Sequence, residues 1–427
     1  MNLRPLLPLL IAASIMLAGN GVQGTLIAVR GAQEGFSTGL IGFIGTAYFG
    51  GFLAGCVMIS RILNAVGHIR AFAALAAIAA SGSLMLVLVL NGPAWIVIRF
   101  VMGFCFAGLF TTIESWLNSS VENATRGRLL SVYRIIDIAA VTSAQFMLPV
   151  FGADGFTVFA VMAVMISLSL VPVSLADRSN PTPPRDIRFD MKGIWRLSPL
   201  ACIGSVAIGA TNSAFRLIGP VYAQDIGLSI ASVATFMSAG IFGGAILQYP
   251  LGHLSDKHDR RIVLMATSSG AVLAGLFLGF FAGTSPIANY VGIFLFGAFA
   301  LPLYSLSVAH ANDHADASQY VMVAAGLMFC FSGGAMIGPF VSSFVVELYG
   351  PPALFTYTSV VHAVLILATL WRMRVRGPVP AARRGAFTML MRTSPMLARL
   401  ARGNGAGKSA SGRQSTNTGD AAKDLSA

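Results

Sequence analysis

Glu114, Arg134 and Asp137 stand inside stretches that are otherwise apolar, and a charge in that setting is costly unless something pairs with it. Burial raises a carboxylate's pKa and a nearby guanidinium lowers it. A carboxylate and an arginine that move relative to each other therefore switch a proton on and off. Asp137 follows Arg134 by three positions, which on a helix sets both on one face. The pair reads either as such a switch or as a permanent neutral pair that only permits burial. Glu114 is the second carboxylate suited to the same task.

Another group offers hydrogen bonding rather than proton chemistry. Asn20, Gln23 and Arg30 form one polar stripe; Ser205, Asn212 and Arg216 form a related stripe about 192 residues later. Arg99, Gln145, Gln248 and Tyr304 are further polar groups in apolar surroundings. A few polar side chains converging within apolar walls make a small-molecule site. The same residue types also serve as interhelical hydrogen bonds. A third group is GHLSDKHDRR at 252–261, in which Gly252, Asp256, Lys257, Arg260 and Arg261 combine an acid with several bases at a helix end. Such a cluster makes charge-assisted hydrogen bonds in one conformation and releases them in another.

The elements that carry these residues follow from composition. Of 427 residues, 56% are hydrophobic and 10% charged. The mean hydropathy of +0.76 excludes an ordinary water-soluble domain. Apolar stretches of spanning length, roughly 20 residues, recur near 5–28, 36–60, 71–90, 94–118, 129–150 and 155–176. Six more lie near 199–223, 229–251, 262–282, 286–309, 321–347 and 352–372. Arg4 before the first run resembles a secretory signal, but Asn20, Gln23 and Arg30 continue the helix without a clear cleavage site. Residues 177–198, with three prolines and a run of charge, read as a linker between two halves. Asn20 matches Asn212, AQEGFS at 32–37 echoes AQDIGLS at 223–229, and Gly103 matches Gly297, which implies duplication. The expected fold is an all-α membrane protein, twelve transmembrane helices in two pseudosymmetric six-helix bundles. Its divisions are 1–176, the linker 177–198, 199–372, and a basic, low-complexity tail 373–427. Within the tail, 385–400 mixes apolar and basic residues suited to an anionic lipid surface.

The net charge of +12 does not point to nucleic acid, because the bases collect in alternate loops. Arg61, Arg70, Arg126, Arg128, the linker, Lys257, Arg260, Arg261 and the tail all fall on one side of the membrane. The positive-inside rule then makes both termini cytoplasmic. Cys56, Cys105, Cys202 and Cys330 fall within spans without paired or metal-ligand spacing. His310 and His314 have metal-ligand spacing but lack a third partner, so no metal or cofactor is expected. No nucleophile elbow, Walker loop or dinucleotide fingerprint appears, which disfavours an enzyme or an ATP-driven pump.

The segment 252–261 resembles the GxLxDRxGRR signature of the major facilitator superfamily, with Asp259 in place of the second glycine. The loop after the second span, SRILNAVGHIR, is a degenerate copy with Asn64 where the acid belongs. RFVMGFCFAG from Arg99 resembles the family's RxxQGxGxA pattern, with Met102 replacing Gln. GGAMIGP at 333–339 is similar to an element that proton-coupled antiporters place on span 5. Here it falls on span 11, where a packing and bending role is expected. The ESWLN and RGRLL region at 114–130 is similar to compact bacterial members of undefined substrate. The resemblance implies a secondary transporter in a bacterial inner membrane, moving a small solute by alternating access. A proton or other coupling ion and the lipid bilayer are its implied partners, with a monomer expected. In that frame Asp137, Glu114 and Arg134 couple protons. Asn20, Gln23, Arg99, Asn212, Arg216, Gln145, Gln248 and Tyr304 line the cavity, and the 252–261 motif is a cytoplasmic gate. The alternative is a membrane receptor or assembly factor on a transporter scaffold, hinted at by the basic tail.

Overall fold

A computed structural model describes residues 6–120, 126–175, 190–316 and 319–380. Among the described residues every regular element is a helix. Twelve of these are long and apolar enough to cross a membrane. Spans 1 to 6 are Leu7–Gln33, Thr38–Val66, His68–Leu88, Gly92–Leu117, Arg128–Phe151 and Thr157–Leu175. Spans 7 to 12 are Pro199–Asp225, Ile230–Lys257, Arg260–Phe280, Pro286–Asn312, Met322–Tyr349 and Ala353–Val375. All twelve stretches read from hydropathy are present, with ends displaced by a few residues. The chain is a multi-pass membrane protein. Residues 177–189 of the linker and the segment 385–400 of the tail lie outside the described residues; the rest of the linker forms a short helix, Met191–Leu197.

The helix starts follow from local chemistry. Ser37, Asn91, Ser198, Ser229 and Ser285 each cap a helix by accepting from a backbone N–H three residues on. Asp190 starts the linker helix in the same way, accepting from Gly193 N at 2.8 Å. Span 10 keeps helical backbone throughout, with a two-residue lapse in its hydrogen bonding between Pro286–Ala300 and Leu303–Asn312, where Pro302 has no N–H to donate.

Small residues set the packing, as expected where apolar lipid supplies no hydrophobic drive between helices. A Cβ on Gly51 would collide with the carbonyl of Phe100, and one on Gly103 with that of Tyr48, so spans 2 and 4 touch backbone to backbone. Spans 8 and 10 repeat the device, with Gly243 against Phe294 and Gly297 against Gly240. The duplication seen in the sequence is therefore a duplication of close approach. In span 11, Gly334 and Gly338 sit against the carbonyls of Val206 and Ala210 in span 7, the packing role expected of GGAMIGP.

The two bundles are tied at the ends of the spans far from the linker. Gly39 N donates to Glu347 Oε2 at 3.0 Å, joining span 2 to span 11. Thr46 Oγ1 donates to the Met336 carbonyl at 2.8 Å in the same interface. Ser238 Oγ donates to the Thr142 carbonyl at 3.3 Å, joining span 8 to span 5.

Candidate functional site

Between the bundles lies a cavity of about 180 Å³. It is lined from spans 1, 2, 4 and 5 of the first bundle and from spans 7, 8, 10 and 11 of the second. Six of the eight expected cavity residues line it: Asn20, Gln23, Arg99, Gln145, Asn212 and Arg216. Asn20 and Gln23 reach it from the stripe of span 1, Asn212 and Arg216 from that of span 7, and Arg99 and Gln145 from spans 4 and 5.

The wall is an ordered polar network. Arg99 Nη1 donates to Gln23 Oε1 at 2.7 Å, and its guanidinium stacks over the Tyr48 ring, 4.3 Å from the centroid. Tyr48 in turn donates its hydroxyl to Asn20 Oδ1 at 3.1 Å. Thr25 Oγ1 donates to Gln145 Oε1 at 2.6 Å, and Gln145 Nε2 to the Gly21 carbonyl at 2.9 Å, which stitches span 1 to span 5. Arg134 Nη1 and Asp137 Oδ2 form an ion pair at 2.7 Å on the cavity surface. The other arm of Arg134 crosses to the second bundle, donating to Gln248 Oε1 at 3.0 Å. Asp137 is the single carboxylate among the described residues that line the cavity.

Three expected residues stand elsewhere. Glu114 does not line the cavity. It is buried beside Tyr133 and Cys56, about 22 Å along the helix from Arg99 at 1.5 Å per residue. Fifteen positions separate Arg99 from Glu114, and at about 100° per residue that turns Glu114 about 60° from the Arg99 face. Gln248 sits behind the wall, holding Arg134 and donating to Ser305 Oγ at 3.2 Å. Tyr304 packs on Phe331 with ring centroids 5.4 Å apart, while Leu301 and Phe331 line the cavity. Arg30 leaves the polar stripe of span 1 as well. At the far end it pairs with Glu34 at 2.7 Å and donates to the Ala153 and Asp154 carbonyls.

Tyr48 is the cavity residue the sequence conceals. It lies in AYFGGF, where it reads as one aromatic among several, and only its contacts with Asn20 and Arg99 mark it.

At the linker-side ends of spans 8 to 10 the charged motif closes on itself. Arg260 pairs with Asp256 at 3.2 Å and with Asp313 at 2.6 Å; both Arg260 and Asp313 are almost fully buried. Asp259 caps span 9, accepting from Arg261 N at 3.0 Å, and pairs with the Arg261 guanidinium at 2.6 Å. Burial pushes the Asp259 carboxyl up, but the Arg261 hydrogen bonds outweigh it and hold the group below the usual carboxylate range. Gly252 is buried and Lys257 exposed. Asp313, one position before His314, is thus a partner of the motif. The His310 and His314 rings meet edge-on at 4.8 Å. Burial, the main cause, holds His314 below its ordinary pKa. Among the described residues no group of three His, Cys, Asp or Glu is placed to hold a metal ion.

The Major Facilitator Superfamily model matches residues 200–407. An uncharacterized MFS-type transporter of Enterobacter sp. (strain 638) is 24% identical over 381 residues, covering 89% of this chain and 98% of that protein. YcaD of Escherichia coli O6:H1, also an uncharacterized MFS-type transporter, matches at the same identity and coverage. Among solved structures, the nucleoside transporter NupG superposes with a TM-score of 0.72 at 14% identity, covering 88% of this chain and 100% of that one. A bacterial homolog of the human lysosomal transporter Spinster, inward-facing and occupied, gives 0.69 at 13% identity, covering 90% and 98%.

Proposed function

We propose that the chain is a proton-coupled secondary transporter of a small solute within the major facilitator superfamily, whose model matches residues 200–407. The observation that carries the reading is the Arg134–Asp137 pair, which lies on the wall of a cavity between two bundles and reaches across to Gln248. A proton on Asp137 removes the charge that holds Arg134. The guanidinium is then free to change partners, and the bond to the second bundle changes with it. Rocking of residues 1–176 against 199–372, joined by 177–198 and followed by the tail 373–427, is the motion this coupling would drive. With the linker side cytoplasmic, as the positive-inside rule requires, the ties at Gly39 and Thr46 close the outside and the described conformation is inward-facing. The site of action is a bacterial inner membrane.

Asp137→Asn is expected to abolish concentrative uptake into proteoliposomes while leaving downhill exchange. Accumulation driven by a pH difference in that variant would remove Asp137 from coupling. Glu114→Gln is the comparison, and its burial away from the cavity makes it the weaker coupling candidate. Asp256 is about one-third exposed and joins span 8 to span 9 through Arg260. If the motif stabilises the outward-open state, it adds partners there to the Asp256–Arg260 pair already made here, and Asp256→Asn should then shift the bundles toward inward-open and slow transport with expression intact. Unchanged labelling of single cysteines at the two cavity mouths would count against it.

A further inference from the structure

The charge lining the cavity is unbalanced. Arg99, Arg134 and Arg216 contribute three guanidinium groups against the one carboxylate of Asp137, which Arg134 already holds. Arg99 is buried against neutral partners, Gln23 and the Tyr48 ring, and its Nε has no acceptor among the described residues. Gln23, itself almost fully buried, has its Nε2 in the same condition. Arg216 has no hydrogen bond or salt bridge among the described residues, and Asp137, Arg134 and Tyr48 are the charged and polar groups around it. Taking a guanidinium out of water costs several kcal/mol unless a counter-charge meets it. Two such groups, one from span 4 of the first bundle and one from span 7 of the second, converge on one cavity. The remaining wall is apolar and aromatic, with Phe49, Phe52, Phe110, Phe331 and Ile241.

We propose that the transported solute is a small organic anion whose carboxylate is held between Arg99 and Arg216 and whose apolar body lies on the aromatic wall. The inference rests on the reading of this cavity as the substrate site. A planar carboxylate accepts from the guanidinium fork in pairs of hydrogen bonds, and the two guanidinium groups that line the cavity, Arg99 and Arg216, are donors of the type it needs. An anion held from both sides links the bundles, so its arrival favours closure of the cavity around it.

The test uses purified full-length protein with a single reporter thiol, Ile138→Cys, on the cavity wall, the four buried native cysteines being replaced by serine. Maleimide labelling of that thiol is followed with benzoate, 4-methylpentanoate and succinate, and with benzamide and glucose as neutral probes. At least one carboxylate should slow labelling while benzamide does not. Arg216→Gln and Arg99→Gln should each raise the half-protecting concentration at least about tenfold, as loss of a charged partner does. Arg216→Lys should restore part of it. Variants are compared only when they elute as the parent does on size exclusion. Protection by neutral probes but by no carboxylate overturns the anion assignment and leaves the cavity as the substrate site. A carboxylate that raises thermal stability without protecting Cys at 138 overturns the cavity reading itself. If no carboxylate protects or stabilises, the proposal is wrong.

Discussion

The loops after span 2 and span 8 occupy equivalent places in the two bundles and are built differently. After span 2 the chain turns at Gly67, with φ +81° and ψ 168°, a conformation open essentially to glycine. His68 then enters span 3, its Nε2 3.1 Å from Ser115 Oγ, while Arg61 and Arg70 are exposed. After span 8 no such glycine is used. His258 is extended, Asp259 caps span 9, and Asp256, Arg260, Arg261 and Asp313 bind the ends of three spans through ion pairs. Duplication preserved the turn and let its chemistry diverge. One copy turns on backbone conformation and the other on charge, and the ion pairs Asp256–Arg260, Arg260–Asp313 and Asp259–Arg261 all belong to the second.

The comparison breaks most readily at Arg260. Arg260→Gln leaves Asp313 buried without its closest cation, and loss of one partner from a buried pair costs about 3–5 kcal/mol. The expected result is a large fall in thermal midpoint and poor recovery of folded protein. The matching change after span 2, Arg70→Gln, should leave both unaltered because that side chain is exposed. Equal losses from the two would mean that the loops are not energetically distinct.

What the sequence disclosed tracks the range of the interaction. Spans are local averages of hydropathy, and the Arg134–Asp137 pair is a three-residue step on one helix, so both are legible without a fold. The close approach of Gly103 and Gly297 is legible because the sequence repeats it. Asp313 meets Arg260 across 53 positions and Tyr48 meets Arg99 across 51, and no periodicity records such encounters. Tyr304 packs against Phe331 of span 11 instead of lining the cavity, an encounter between two helices that spacing along one of them does not record.

A smaller effect sharpens the contrast from the glycine side. At Gly67 the cost of Gly67→Ala is about 1–3 kcal/mol, since alanine is strained at that φ and ψ. At the equivalent place in the second loop the backbone is extended, so His258→Ala carries no such strain. A thermal midpoint lowered by the first substitution and not by the second supports two separate solutions to one turn.

The smallest effect isolates charge from capping at Asp259. Asparagine caps a helix about as well as aspartate, so Asp259→Asn keeps the bond to Arg261 N and loses the ion pair, while Asp259→Ala loses both, the cap alone contributing about 1 kcal/mol. The carboxyl is held below its ordinary range in the folded chain. Its contribution is therefore complete above the ordinary carboxylate pKa and disappears as pH falls through the depressed value. Stability of the parent should thus decline on acidification by an increment that Asp259→Asn lacks, with the two converging at the acid end. Buried His314, held below its ordinary pKa, also loses stability as pH falls, through the ordinary histidine range, but in both proteins alike. The difference between the two melting profiles therefore reports Asp259. Should it stay constant across the acid range, the Asp259–Arg261 contact contributes geometry and no charge, and the second loop would then be held, like the first, by backbone alone at that position.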